Sequence, residues 1–153
     1  MKIRKATIKD AGKISRLRRQ TLEKITSLSW KKAAVIDYLK KKNSTKEIMK
    51  KMKERDIYVA TEKGKIIGSV DIKDNKIGGL FVRHDSVGKG IGKKLMEFIE
   101  KKAKKRGLSK VILHPTPNAI KFYKKLGYKK KKREIWKSKN FKTILWTMEK
   151  RLR

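Results

Sequence analysis

Leu80-Phe81-Val82-Arg83-His84-Asp85-Ser86-Val87-Gly88-Lys89-Gly90-Ile91-Gly92-Lys93-Lys94-Leu95 joins the end of a strand to a glycine-rich loop and the first turn of a helix. A helix N-terminus presents N–H groups without partners and about half a positive charge. Glycines ahead of it let the backbone approach an anion with no Cβ in the way. Val87, Gly88, Lys89, Gly90, Ile91 and Gly92 therefore form a candidate cradle for a pyrophosphate, and Lys89, Lys93 and Lys94 add positive charge beside it. Two common phosphate patterns do not apply. No Gly-Lys-Ser/Thr occurs, and no suitably placed acid follows a second strand as the dinucleotide fingerprint requires.

Before the loop, Lys2 to Ala6 reads as a first strand, and Thr7 with Asp10 as a capping pair. Ile8, Ala11, Ile14, Leu17, Leu22 and Ile25 then roughly keep a helical period. A second helical stretch runs from Trp30 to about Lys40. Ser44 with Glu47 is a capping box opening a short third one. The period then changes to that of strands at 57–61, 66–72 and 76–82. After the loop, Leu95, Phe98, Ile99 and Ala103 share one side of a helix, with Glu97/Lys101 and Glu100/Lys104 at i,i+4 on the other. A buried strand at 109–114 follows, then a helix opened by Thr116-Pro117 and stopped at Gly127. Strands near 128–136 and 142–150 close the chain. The condensed order β-α-α-β-β-β-α-β-α-β-β predicts one α+β (α/β-like) domain over residues 1–153 on a mixed sheet, with one parallel β-α-β crossover from 76–82 to 109–114.

Composition narrows the classes. The 153 residues suit a single domain. Forty-seven Lys+Arg against 14 Asp+Glu leave a formal charge of +33, a field that favours anionic partners and repels cations. No apolar run approaches the roughly 20 residues of a spanning helix, and no signal-like segment opens the chain, so a cytoplasmic protein without a membrane partner is expected. There is no cysteine, which excludes disulfides and thiolate sites, and two histidines alone make no His-rich metal site.

Two motifs in order carry a resemblance. Val87-Gly88-Lys89-Gly90-Ile91-Gly92 is similar to the Q/R-x-x-G-x-G/A acetyl-CoA motif of the GCN5-related N-acetyltransferase (GNAT) superfamily. Gly90 and Gly92 match; Val87 replaces the leading Gln/Arg, which removes a side chain but no backbone donor. Asn118-Ala119-Ile120-Lys121-Phe122-Tyr123-Lys124-Lys125-Leu126-Gly127-Tyr128 resembles the family's N-x-x-A…[FL]-Y-x-x-x-G-[FY] segment, with Asn and Ala adjacent here. The opening Ile3 to Asp10 and the closing Trp146 to Lys150 also look like the family's first and last elements, so the likeness spans nearly the whole chain.

The resemblance implies a mixed, mostly antiparallel GNAT sheet splayed between its fourth strand, 76–82, and its fifth, 109–114, with acetyl-CoA as cosubstrate in the split. It implies that the pantetheine arm pairs with the backbone of Leu80, Phe81 and Val82 like an added strand, and that the pyrophosphate sits on 87–92 beside Lys93. It implies Asn118 as a cofactor-arm ligand and Tyr123 as the acid that protonates the departing thiolate. The expected activity is acetyl transfer to a primary amine by direct attack in a ternary complex, and a homodimer is an assembly the resemblance allows. Tyr123 also has an ordinary reading, as one of an apolar helix face with Phe122 and Leu126. For the general base no acid stands on 76–82; Asp71, His84 and His114 are candidates, His114 the best placed, beside a water chain or a plain strand-end histidine. Trp30 and Tyr38 are candidate acceptor-site residues, with core packing as the alternative.

The positive field disfavours an ammonium and so discourages polyamine or Lys-rich acceptors; an amine flanked by negative charge fits, such as an aminoacyl-tRNA or an acidic protein N-terminus. The competing function is a basic RNA- or ribosome-binding protein that keeps the fold without catalysis. Lys121 to Arg153 supports it with 14 basic and 2 acidic residues and interleaved aromatics.

Overall fold

A computed structural model describes residues 1–26, 33–139 and 141–153, with only the backbone described at 25, 26, 33 and 34. Its elements are β1 (Lys2–Lys5), α1 (Ala11–Thr26), α2 (Ala33–Lys42), α3 (Thr45–Glu54), β2 (Asp56–Glu62), β3 (Lys65–Lys73), β4 (Lys76–Val82), α4 (Ile91–Lys105), β5 (Lys110–Leu113), α5 (Ile120–Lys125), β6 (Lys129–Ser138) and β7 (Phe141–Arg151). Three helices stand between β1 and β2 where the condensed order held two. The third is the short helix that the Ser44–Glu47 capping box predicts and the condensed order merges with α2: the Ser44 hydroxyl accepts from Glu47 N–H at 3.3 Å and starts α3 as a helix of its own.

The seven strands form one sheet in the order β1-β2-β3-β4-β5-β7-β6. All pairings are antiparallel except β4 with β5, which the α4 crossover makes parallel, as the sequence predicts. Both faces of the sheet are covered. Along β2, Tyr58 and Ala60 join a core built with Leu95, Ile99 and Ala103 of α4. Ile57 and Val59, pointing the other way, join Ala11, Ile14 and Ile48 of α1 and α3. This explains why β2 is apolar on successive residues instead of alternating. No described helix is long and apolar enough to cross a membrane.

The expected i,i+4 partner of Glu100 is replaced by longer-range ones. Its carboxylate accepts from Lys150 Nζ and from the Tyr128 hydroxyl, both at 2.8 Å, which ties α4 to the last strand and to the turn after α5.

Asp10 anchors β1. Its carboxylate accepts from Arg4 Nη1 and Nη2 at 2.8 and 3.0 Å and from Thr7 N–H at 2.8 Å. The Arg4 hydrogen bonds, ahead of the Thr7 bonds and against the cost of burial, hold its pKa down at about 2. A carboxyl depressed below its unfolded value stabilises the fold above the unfolded pKa and loses that contribution as pH falls toward the folded one. Arg4 is half exposed, so the effect is screened to about 1–2 kcal/mol. The stability gap between wild type and Asp10→Asn, measured by urea titration, should be full at neutral pH and close as pH drops from about 4 to about 2. A gap that stays constant over that window would remove the charge from the account.

Candidate functional site

Among the described residues β4 and β5 register at one pair. Lys76, the first residue of β4, opposes Ile112 near the end of β5, and Ile112 N–H donates to Asn75 O at 2.9 Å. Beyond that point β4 stays registered with β3 through Val70–Leu80, Ser69–Phe81 and Gly68–Val82, while its other edge has no strand partner among the described residues. Arg83 N–H donates to Ile67 O at 2.8 Å, toward β3. Backbone groups alternate sides along a strand, so the N–H groups of Val82 and Leu80 point into the split.

The split leads to the cradle. Val87 is 67% exposed, and the chain then turns through Gly88 at φ 88° and Gly90 at φ 78° before α4 begins at Ile91. Both glycines occupy the left-handed region, which L side chains rarely adopt, and open space surrounds the place of each missing Cβ. Ile91 is buried and fixes the first turn to the core, whereas Lys89 and Lys93 are exposed. Lys94 N–H is the first to bond within the helix, to Gly90 O at 3.1 Å, so the N–H groups ahead of it remain available to an anion. A Cβ on Gly92 would press on the Phe122 ring at 3.2 Å, so α4 and α5 approach closely there.

On the other side the split opens into a cavity of about 300 Å³. Gly78 to Phe81 of β4 form one wall, and His114, Pro115 and Thr116 follow from the end of β5. Ala119, just before α5, and Tyr123 of α5 close it, with Leu22, Leu39 and Asn43 from α1, α2 and the turn after α2, and Trp136 and Leu145 from the β6–β7 hairpin. Tyr123 is 7% exposed and packs edge-to-face on Phe122 and Tyr128 at 5.1 and 5.7 Å. Burial alone pushes its phenol above the ordinary tyrosine value, so it stays protonated at neutral pH. His114 is exposed and has Thr147 Oγ1 3.3 Å from Nδ1. Asn118 lies on an exposed 3-10 turn, Pro117–Ala119, between the lining residues Thr116 and Ala119.

Of the other sequence candidates, Tyr38 does not line the cavity. It packs against Trp136 and Phe141 at 5.6 and 5.4 Å and props the hairpin tip that does. Trp30 lies outside the described residues. His84 sits on the exposed turn after β4 and away from the cavity lining. Asp71 is buried and fully engaged: Arg18 Nη2 donates to Oδ2 at 2.9 Å and Arg55 Nε to Oδ1 at 2.7 Å. Arg18 also donates to Ser69 Oγ and Asn43 Oδ1, and its guanidinium lies 4.9 Å from the centroid of the Phe81 ring.

Arg18, Asn43 and the pair Trp136–Leu145 do not emerge from the sequence reading as site residues. Arg18 had a signal. It falls four residues after Ile14 and four before Leu22, on the apolar stripe of α1, where a cation must find a buried partner.

Comparison with known proteins agrees with this geometry. The family model described as an acetyltransferase (GNAT) domain matches residues 17–152. No curated protein matches the chain. Among solved structures, a GCN5-related N-acetyltransferase from Rhodopseudomonas palustris superposes at TM-score 0.91 with 23% identity, over 99% of this chain and 95% of that one. The PaiA N-acetyltransferase of Thermoplasma acidophilum, solved with coenzyme A, gives 0.80 and 20% over 98% of each chain. An aminoglycoside 6'-N-acetyltransferase, also with coenzyme A, gives 0.72 and 17% over 99% of this chain and 97% of that one. With the family match running through nearly all of its elements, from within α1 to the end of β7, the chain belongs to the GNAT acetyltransferase family.

Proposed function

We propose that this protein transfers an acetyl group from acetyl-CoA to the nitrogen of a primary amine, by direct attack within a ternary complex. The observation that carries the reading is the unpartnered edge of β4, which runs from the Tyr123 cavity to the glycine loop at the start of α4. The residues suit that cosubstrate. Leu80 and Val82, on either side of Phe81, offer backbone donors and acceptors to an extended arm, Asn118 is its side-chain ligand, and 87–92 with Lys93 receive the diphosphate.

In this reading the amine nitrogen bonds to the thioester carbonyl carbon while the N–H of Val82 or Leu80 stabilises the oxygen that becomes negative. The C–S bond then breaks, and Tyr123 gives its hydroxyl proton to the sulfur. The proton released by the nitrogen passes to His114 or to water and restores the phenol. Asp71 is no rival as base, because both its oxygens already serve guanidiniums.

Acetyl-CoA at a hundred times its Kd should stabilise the protein by about 2.7 kcal/mol. That corresponds to a rise in Tm of roughly 5–10 °C for a domain of this size. Gly90→Val, which forces a branched side chain to φ 78°, should abolish the rise. No rise at saturating acetyl-CoA would sink the reading. Salt-sensitive RNA binding in its place would favour the non-catalytic reading, for which the exposed run Lys129 to Arg133 on the edge strand β6 is the structural support.

A further inference from the structure

Among the described residues the cavity lining holds no carboxylate: neither Asp nor Glu occurs in it. Its walls are mainly apolar: Leu22, Leu39, Phe81, Trp136 and Leu145. Its polar side chains are few, and Asn43 is already committed. The Asn43 amide donates to Leu39 O at 2.9 Å, and Oδ1 accepts from Arg18 and Lys51 at 3.3 and 3.4 Å.

Behind this wall stands an excess of positive charge. Arg18 lies against Phe81, Lys51 reaches Asn43, and Arg55 shares Asp71 with Arg18, so three cations surround one carboxylate. Lys51 registers the imbalance: burial first, then repulsion by Arg18 and Arg55 against the pull of Asp71 and Glu47, brings its pKa down to about 8.

An ammonium that enters such a cavity loses hydration and gains no counter-ion. A lone reacting amine tolerates this, because losing its proton is what makes it a nucleophile. A second ammonium on the same molecule has no such escape. An acidic group on the acceptor, by contrast, is drawn toward the cation cluster.

We infer that the acceptor is a monoamine built on an apolar body and carrying an anionic group, carboxylate or phosphate, and that the same cavity rejects polycations. This inference rests on the acetyl-transfer reading and names the substrate class for that site.

The test measures CoA release by the full chain at saturating acetyl-CoA with four acceptors: phenylalanine, 2-phenylethylamine, spermidine and kanamycin. Phenylalanine should exceed 2-phenylethylamine by about tenfold in kcat/KM and the two polycations by about a hundredfold. Its lead over 2-phenylethylamine should shrink at high salt. Leu39→Glu, at a half-buried position on the wall, should narrow the gap between phenylalanine and spermidine by about tenfold, with Tm reporting that the variant folds. Spermidine or kanamycin at or above phenylalanine would overturn the inference, and 2-phenylethylamine ahead of phenylalanine would overturn its anionic half. No turnover with any of the four, while acetyl-CoA still raises Tm, also overturns it. If acetyl-CoA fails to raise Tm, the acetyl-transfer reading falls and takes this inference with it.

Discussion

Tyr123→Phe should lower kcat by about 10²-fold or more while leaving the acetyl-CoA-induced rise in Tm intact. The substitution deletes one oxygen and keeps the ring, so the edge-to-face contacts with Phe122 and Tyr128 persist and the fold loses little. What disappears is a proton donor at the cavity wall. A thiolate released into a mainly apolar site loses hydration unless it is protonated, so its departure is where the loss should appear. Burial holds the phenol protonated well beyond neutrality, so wild-type activity should show no falling limb from Tyr123 across the neutral range. If His114 takes the proton from nitrogen, His114→Ala should lower kcat while leaving the acetyl-CoA-induced rise in Tm intact. Equal kcat for wild type and Tyr123→Phe would remove Tyr123 as the acid and return it to the role of a packed core aromatic.

The part of the site legible in the sequence is the part made by neighbours in the chain. The glycine turn from Val87 to Gly92, the candidate cradle, and the helix start are one continuous segment, and the physics of an exposed helix end needs no distant partner to be recognised. The same holds for α4, whose Leu95, Ile99 and Ala103 stripe is local, and for the Ser44 cap. The acceptor end is different. Leu39, Asn43, Trp136 and Leu145 come from three regions of the chain, and none belongs to a motif. Tyr38 is an acceptor-site candidate in the sequence and Trp136 is not; only the packing of the hairpin on α2 makes Trp136 a wall and Tyr38 its support. Arg18 was hidden by composition, one of 47 basic residues in a chain whose other cations mostly face water.

Asp71→Ala should be the most destabilising single change in the chain's polar interior, by about 3–5 kcal/mol. Asp71 and Arg18 have side chains 3% and 1% exposed, so removing the carboxylate leaves a guanidinium buried without its counter-ion and Arg55 without its Nε partner. Lys51, already pressed by both arginines, would keep only Glu47 to offset them. The consequence should reach β4. Val70 to Ile72 is where the β3–β4 register shifts, and Asp71 lies so close over β4 that a Cβ on Gly78 would overlap its Oδ1 and meet Arg55 Nη2 at 2.5 Å. The carboxylate thus fills the space above the Gly78-Gly79 backbone, the same backbone that walls the cavity. Replacing the buried pair as a unit should cost far less than breaking it: Asp71→Leu with Arg18→Met should recover most of the stability lost in Asp71→Ala, because the one guanidinium shut off from solvent goes with its carboxylate, while Arg55 keeps access to water. Thermal unfolding of the single and double variants decides between this account and a role for Asp71 as base. A base would show undiminished Tm in Asp71→Asn with activity lost, whereas a structural carboxylate shows Tm and activity falling together, and activity returning in part with the stability of the double variant.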